Sequence, residues 1–245
     1  MSFEGYPIIK KLIAITSHKI LYVVFTYAGM TKRINDYILS IILLIAISPF
    51  VILILFLVYL STKQFPVFFQ VRKITLDRKG IKIFKIRTIK SSDKFLKLEK
   101  AAGTIFIKQS FKEHVPPFCG WLRRTGLDEI LQLINVIKGE MSLVDPRPLI
   151  ESDLVIMKDT GLELYNRRAC LNSLPGITGY WQAFGNRARG TQNLIELDEF
   201  YERQKSFYMD MKIILRSILI VITASHSDSI ISSFKKEKII REERV

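Results

Sequence analysis

The chain has 245 residues, 49% hydrophobic and 11% aromatic, enough for one domain or one and a half with a full core, so a large multidomain machine and a disordered chain are both excluded. Lys plus Arg outnumber Asp plus Glu by 37 to 23, and a net charge of +14 implies a polyanionic partner: nucleic acid, an anionic membrane face or a phosphorylated substrate. Two cysteines without short spacing, Cys119 and Cys170, do not make a disulfide framework, and three histidines argue against a zinc enzyme, which favours the cytosolic side.

Residues 8–29 are apolar with a few cations. They read as an interfacial helix or as a short helix packed on the domain. His18 and Lys19 interrupt the apolar run too early for a secretory signal. From Tyr37 to Thr62 the chain carries no charge for 26 residues. As a helix this segment is roughly 39 Å long, enough to cross a hydrocarbon core of about 30 Å. Both flanks are basic, with Lys32 and Arg33 before it and Lys63, Arg72 and Lys73 after it, so the charge asymmetry of a spanning helix is missing. Ser48-Pro49 sits near the middle, where proline removes a backbone donor and a kink or break is expected, with the serine hydroxyl satisfying a freed carbonyl. The segment 31–63 therefore reads as a re-entrant membrane hairpin with both ends on the cytosolic face. A kinked full span is the alternative.

A polar domain follows. Phe65 to Lys90 reads as a β-hairpin turning at Asp77-Arg78-Lys79-Gly80, with Lys85 and Arg87 on one face of the second strand. Two such cations suit a phosphate, and they equally suit a solvated edge strand. Residues 91–115 form a charged linker or loop. Leu127, Ile130, Leu131, Ile134 and Ile137 then recur at helical spacing, giving a helix from about Leu127 to Lys138 with Thr125 as its N-cap. Asp128 and Glu129 occupy its first turn, where the helix dipole favours ionised carboxylates. Capping alone would explain them. Their surroundings suggest chemistry: Arg123 and Arg124 come one turn earlier, and Arg147, pinned between Pro146 and Pro148, is suited to gripping a phosphate with two parallel bonds. A carboxylate amid arginines can attack phosphorus to form an acyl-phosphate while its neighbour holds Mg²⁺.

Pro175 to Gly179 makes a tight turn, and Gly185 to Gly190 is a basic loop that suits a nucleotide or diphosphate, or merely the surface. Leu197 to Tyr201 begins the next helix. Phe207 to Ala224 puts Met211, Ile214, Leu215, Ile218 and Ile222 on one face, while Asp210, Lys212 and Arg216 keep its first half wet, as in a helix lying on a membrane. The last residues are a charged tail. The fold class is α+β, mainly helical, divided as 1–30 extension, 31–63 membrane hairpin, 64–224 catalytic domain with a small β-hairpin and interfacial amphipathic helices, and 225–245 tail.

The order of motifs resembles the bacterial sugar transferase family, the monotopic phosphoglycosyl transferases that start glycan assembly on polyprenyl phosphate. It comprises Lys32-Arg33 with Asp36, Ser48-Pro49, PVFFQVR, Lys85 with Arg87, LRRTGLDEILQL, KGEMSLV before Pro146-Arg147-Pro148, PGITGYWQ, and Asp198 with Tyr201. The resemblance covers about residues 31–222 and implies a small member without the additional membrane bundle of longer relatives. It implies that Asp128 is the nucleophile taking a phosphosugar from a UDP-sugar with release of UMP, that Glu129 belongs to the Mg²⁺ site, and that polyprenyl phosphate accepts the phosphosugar. It further implies that Lys85, Arg87, Arg123 and Arg147 contact phosphates and that Asp198 and Tyr201 lie in a substrate-side motif. The implied setting is the cytosolic face of a bacterial inner membrane, with downstream glycosyltransferases as possible partners and no nucleic acid. Three residues depart from the family pattern. Asp145 stands for the usual glycine before the Pro-Arg-Pro turn, Gly126 for a common serine, and Leu174 for a charged residue. Asp145 is expected to preserve the turn, since Asp tolerates unusual backbone angles, while adding negative charge near the phosphates.

Overall fold

The computed structural model describes residues 27–90, 115–186 and 189–224. The readings of residues 1–26, of the linker from 91 to 114, of Arg187 and of the tail from 225 lie outside them. The described chain is mainly helical with two small sheets.

The first helix, α1, is Lys32–Thr62. With the turn ahead of it from Gly29, it is, among the described residues, the segment long and apolar enough to cross a membrane by length and composition. It does not divide into two helices at Ser48-Pro49, as the sequence suggested. The helix runs through Pro49, whose missing N–H frees the carbonyl four residues back, and the Ser48 hydroxyl donates to that Ile45 oxygen at 2.9 Å. It stops where Lys63 takes a left-handed conformation and returns its N–H to the Tyr59 carbonyl at 2.8 Å. One side of α1 packs on the domain along its length. Leu39, Leu43, Leu44 and Ile47 meet a core built from Ile83, Leu133, Val136, Leu143 and Ile213, while Val51, Ile54 and Val58 join a second core with Ile86, Cys119, Leu122 and Leu131. The opposite side stays apolar and exposed through Ile38, Ile42, Ile45, Phe50, Leu53 and Phe56.

Strands β1 (Val67–Arg72) and β2 (Ile81–Ile86) form the expected antiparallel hairpin, with Phe68 opposite Lys85. Helices α2 (Pro117–Thr125) and α3 (Gln132–Ile137) follow, joined by one 3₁₀ turn. A short parallel pair, β3 (Ser142–Val144) and β4 (Gly176–Thr178), is connected through α4 (Glu151–Thr160) and α5 (Leu162–Ala169). Beyond it lie α6 (Tyr180–Phe184), α7 (Gly190–Gln204) and α8 (Phe207–Ile222). The helix expected to begin near Leu197 starts seven residues earlier, so Asp198 and Tyr201 sit in its second half. On α8, Leu215, Ile218 and Ile222 are exposed as anticipated, but Asp210 is buried rather than wet, because it pairs with Lys32 at the start of α1 at 2.6 Å.

The glycine at 176 is dictated by β3–β4 packing. A Cβ there would lie 2.1 Å from the Asp145 carbonyl oxygen and 2.4 Å from its nitrogen, both backbone atoms that cannot yield. Gly176→Ala is therefore expected to cost about 2 kcal/mol or more, as overpacking against rigid neighbours does. Gly139, with a φ of +76° and nothing within 4 Å of the place a Cβ would take, should lose only about 1 kcal/mol as alanine. Thermal unfolding of the two detergent-solubilised variants checks the ranking.

Candidate active site

Pro117 opens α2, where a missing N–H costs nothing, and Gly126 ends it with a φ of 76°, a conformation glycine adopts without strain. Glycine, where the family resemblance leads to an expectation of serine, thus fits its local geometry. The chain then makes the 3₁₀ turn Leu127–Glu129, closed by Glu129 N–H to Gly126 at 3.1 Å, before α3 begins. The dyad accordingly stands on a 3₁₀ turn and not on the first turn of one long α-helix, and its side chains diverge by about 120° instead of 100°. Thr125 is the last residue of α2. Its hydroxyl donates to Leu122 at 2.9 Å and accepts a long bond from Leu127 N–H at 3.4 Å, so it bridges two short helices rather than capping one.

Asp128 and Glu129 are only 7% and 5% exposed. Carboxylates so buried need cations, and two distant segments deliver them. Arg147 donates to both Glu129 oxygens, at 3.0 Å to Oε2 and 2.7 Å to Oε1. Lys85, from β2, donates to Glu129 Oε1 at 2.9 Å and stands 3.5 Å from Asp128 Oδ2. Two carboxylates and two cations thus form one compact, electrically balanced cluster. The structure brings Asp128, Glu129, Lys85 and Arg147, four of the residues that the sequence analysis singled out, into contact.

The other basic positions are arranged differently. Arg123, half-buried in the last turn of α2, reaches Thr88 at 3.4 Å, just past β2. Arg87 is set beside Phe68, the residue opposite Lys85 in the hairpin. It lies beyond the end of β2, donates to the Phe65 carbonyl at 2.9 Å and sits 5.7 Å from the Phe68 ring.

Asp198 and Tyr201, assigned to a substrate-side motif, are buried beneath the cluster. Asp198 pairs at 3.0 Å with Arg168, whose guanidinium is fully buried and also donates to the carbonyls of Ile74, at 2.8 Å, and of Arg147. Burial pushes the Asp198 carboxyl up and the Arg168 guanidinium down, and their mutual contact opposes both shifts. Arg168 therefore supports the backbone of the residue that grips Glu129. Sequence reasoning missed it, since nothing in spacing separates it from its neighbour Arg167, which pairs with Glu199 at 2.8 Å in a half-buried contact. The Tyr201 hydroxyl lies 2.6 Å from Asp210 Oδ1 and 2.9 Å from the Val144 carbonyl. It ties α7 to Asp210 and so to the seating of α1.

Asp145 keeps the turn without any special backbone angle; the non-glycine residues at positive φ among the described ones are Lys63 and Ala224. Its carboxyl is buried and faces Lys32 and Lys205 rather than the Arg147 guanidinium, so the expected charge among the phosphate-binding groups is not there.

The family model described as bacterial sugar transferase matches residues 27–224, which include α1 and every site residue named above. The chain is 30% identical over 208 residues to the exopolysaccharide production protein ExoY of Sinorhizobium fredii, with 78% of this chain and 84% of that protein covered. It is 31% identical over 210 residues to ExoY of Rhizobium meliloti, with the same coverage of 78% and 84%. Against the UDP-glucose:undecaprenyl-phosphate glucose-1-phosphate transferase of Escherichia coli it is 30% identical over 194 residues, covering 77% of this chain and 39% of that longer protein. Motif order, cluster geometry and these matches agree: the chain belongs to the bacterial sugar transferase family.

Proposed function

We propose that this chain transfers a phosphosugar from a UDP-sugar to polyprenyl phosphate, releasing UMP and giving a polyprenyl diphosphate sugar, the first membrane step of a bacterial surface glycan. The observation that carries the reading is the buried pairing of Asp128 and Glu129 with Lys85 and Arg147. The names of relatives support the substrates: one acts between UDP-glucose and undecaprenyl phosphate, and another is an undecaprenyl-phosphate galactose phosphotransferase.

In the first half-reaction an Asp128 oxygen attacks the sugar-bearing phosphorus. The bond from that phosphorus to the bridging oxygen breaks, and UMP leaves with the electron pair. In the second, an oxygen of polyprenyl phosphate attacks the same phosphorus and the Asp128 carboxylate departs. Asp128 needs no general base, which suits a chain with so few histidines. Lys85 and Arg147 hold the diphosphate oxygens, and Arg123 adds charge at the edge. Mg²⁺ fits the donor set: among the described residues no group of three His, Cys, Asp or Glu side chains is gathered for a metal, but this ion needs only one or two carboxylates beside substrate phosphates and water. Glu129 would hold it, and it would neutralise charge on the diphosphate.

The membrane reading rests on the outer faces. A groove between α1 and α8 is lined by Ile38, Ile42, Phe207, Met211 and Ile214, so the exposed apolar faces of the two helices adjoin. Both ends of α1 are fixed to one polar body, by Lys32 to Asp210 at one end and by Val58 in the second core at the other. A helix whose two ends are held by one body dips into the bilayer from one side instead of crossing it. The cytosolic face of the inner membrane is that side, and downstream glycosyltransferases take the product.

Asp128→Asn is expected to abolish UMP release and covalent labelling by a UDP-sugar. Mass spectrometry of enzyme incubated with donor and no lipid acceptor should find the phosphosugar on Asp128, and its presence on another residue removes the assignment. Arg147→Lys, which cannot span both oxygens of a carboxylate or phosphate, should lower kcat/KM more than tenfold, about 1.4 kcal/mol in the barrier, with membrane association unchanged. Single cysteines placed beside Lys32 and beside Lys63 in intact cells should be protected alike from an impermeant thiol reagent. Labelling of one flank alone would replace the re-entrant topology with a span.

A further inference from the structure

Asp145 immediately precedes the Pro146-Arg147-Pro148 turn, and its backbone is clamped. Its N–H donates to Thr178 at 3.0 Å, Gly176 N–H donates to Pro146 at 2.9 Å, and both Gly176 and Gly179 press against its carbonyl too closely for a Cβ. The Asp145 side chain is thereby fixed beneath the turn, and two residues on Arg147 grips Glu129.

The carboxyl is 4% exposed, and its Oδ1 has no hydrogen-bond partner among the described residues. Ser142 and Ser173 lie close enough that donation to it would favour its charged form, yet their protons are directed elsewhere: Ser142 donates to Asp36 Oδ2 at 2.6 Å and Ser173 to Glu202. A serine hydroxyl has one proton, so each has only acceptor capacity left for Asp145. The nearby lysines are engaged too, Lys32 with Asp210 at 2.6 Å and Lys205 with Glu202 at 3.1 Å. Lys32 from α1 and Lys205 from the link to α8 face Asp145 and favour its charged form, while Asp198 from α7 faces it as a second buried acid. A buried carboxylate without a donor is costly, whereas a carboxylic acid supplies the missing proton itself.

We propose that Asp145 is a positioning residue for Arg147 that works as a neutral acid, donating to a serine oxygen, and that its ionisation loosens the turn carrying Arg147. The effect on turnover rests on the transferase reading above. Burial accordingly pushes the carboxyl up to about 7. The sign follows: a folded-state value above the unfolded one stabilises at low pH, and that contribution is lost as pH rises through about 7.

The test uses the full chain in detergent or nanodiscs, with Asp145→Asn, similar in shape but unable to ionise, and Asp145→Gly, the residue that the family resemblance leads one to expect there. UMP release from a panel of UDP-sugars and the unfolding temperature are measured from about pH 6 to about pH 8.5, the range that brackets the titration. Relative to the parent, kcat/KM of Asp145→Asn should be near unity at the acid end and rise about threefold or more at the alkaline end, mainly through KM, because Arg147 binds phosphate. The parent's unfolding temperature should fall more steeply over that range than that of either variant. Asp145→Gly gives the same comparison if the amide variant fails to fold. A variant-to-parent ratio independent of pH, or parallel unfolding profiles, overturns the proposal, since a merely structural role shifts both curves by a constant amount. Absence of UMP release from the parent with every donor would instead count against the transferase reading, and the unfolding profiles would still decide the state of Asp145.

Discussion

The Glu129 carboxylate, held by both guanidinium nitrogens of Arg147 and by Lys85, is the contact on which the arrangement of the site depends. It joins three segments remote in sequence: the second hairpin strand, the 3₁₀ turn between two short helices, and the proline-flanked turn after β3. The cluster is almost dry, so none of its members can be deleted without leaving a partner uncompensated, a loss typically of about 3–5 kcal/mol for a buried pair. Its charge balance also explains why so basic a chain brings two adjacent acids indoors. The same cations that neutralise the acids at rest can turn to a diphosphate, whose oxygens offer them similar geometry.

A second buried polar layer lies under the first. Asp198 and Arg168 carry the backbone of Arg147, while Tyr201, Asp210, Asp36 and Ser142 hold the start of α1. Asp145 stands between them. The seating of α1 and the turn that carries Arg147 are therefore joined by packed polar groups, not by the apolar cores alone. Such groups add direction that hydrophobic burial lacks, because each hydrogen bond has a required geometry.

Local pattern made much of this legible. The uncharged run of α1, the hairpin strands and the Asp128-Glu129 pair are written in contiguous residues, and proline and glycine mark the turns around them. The partners of Pro49 were readable too, although the outcome was not. The serine hydroxyl meets the freed carbonyl, and the helix continues through a position where a kink or a break was expected. What the sequence concealed was pairing at a distance. Asp198 and Tyr201 look like surface residues of a polar helix until Arg168, 30 residues away, and Asp210 on the next helix are brought in. The left-handed turn at Gly126, which shifts the dyad onto a 3₁₀ turn, likewise depends on how α2 docks against α1 and β2.

The bond from Lys32 to Asp210 spans 178 positions of the chain. During synthesis α1 emerges first and its anchor almost last. At roughly 5–20 residues per second, the greasy helix waits for about 9–36 seconds before the carboxylate that seats its first turn exists. Throughout that interval the Lys32 ammonium is without the carboxylate that later seats it, so the order of synthesis makes the fastening of α1 one of the last steps of folding.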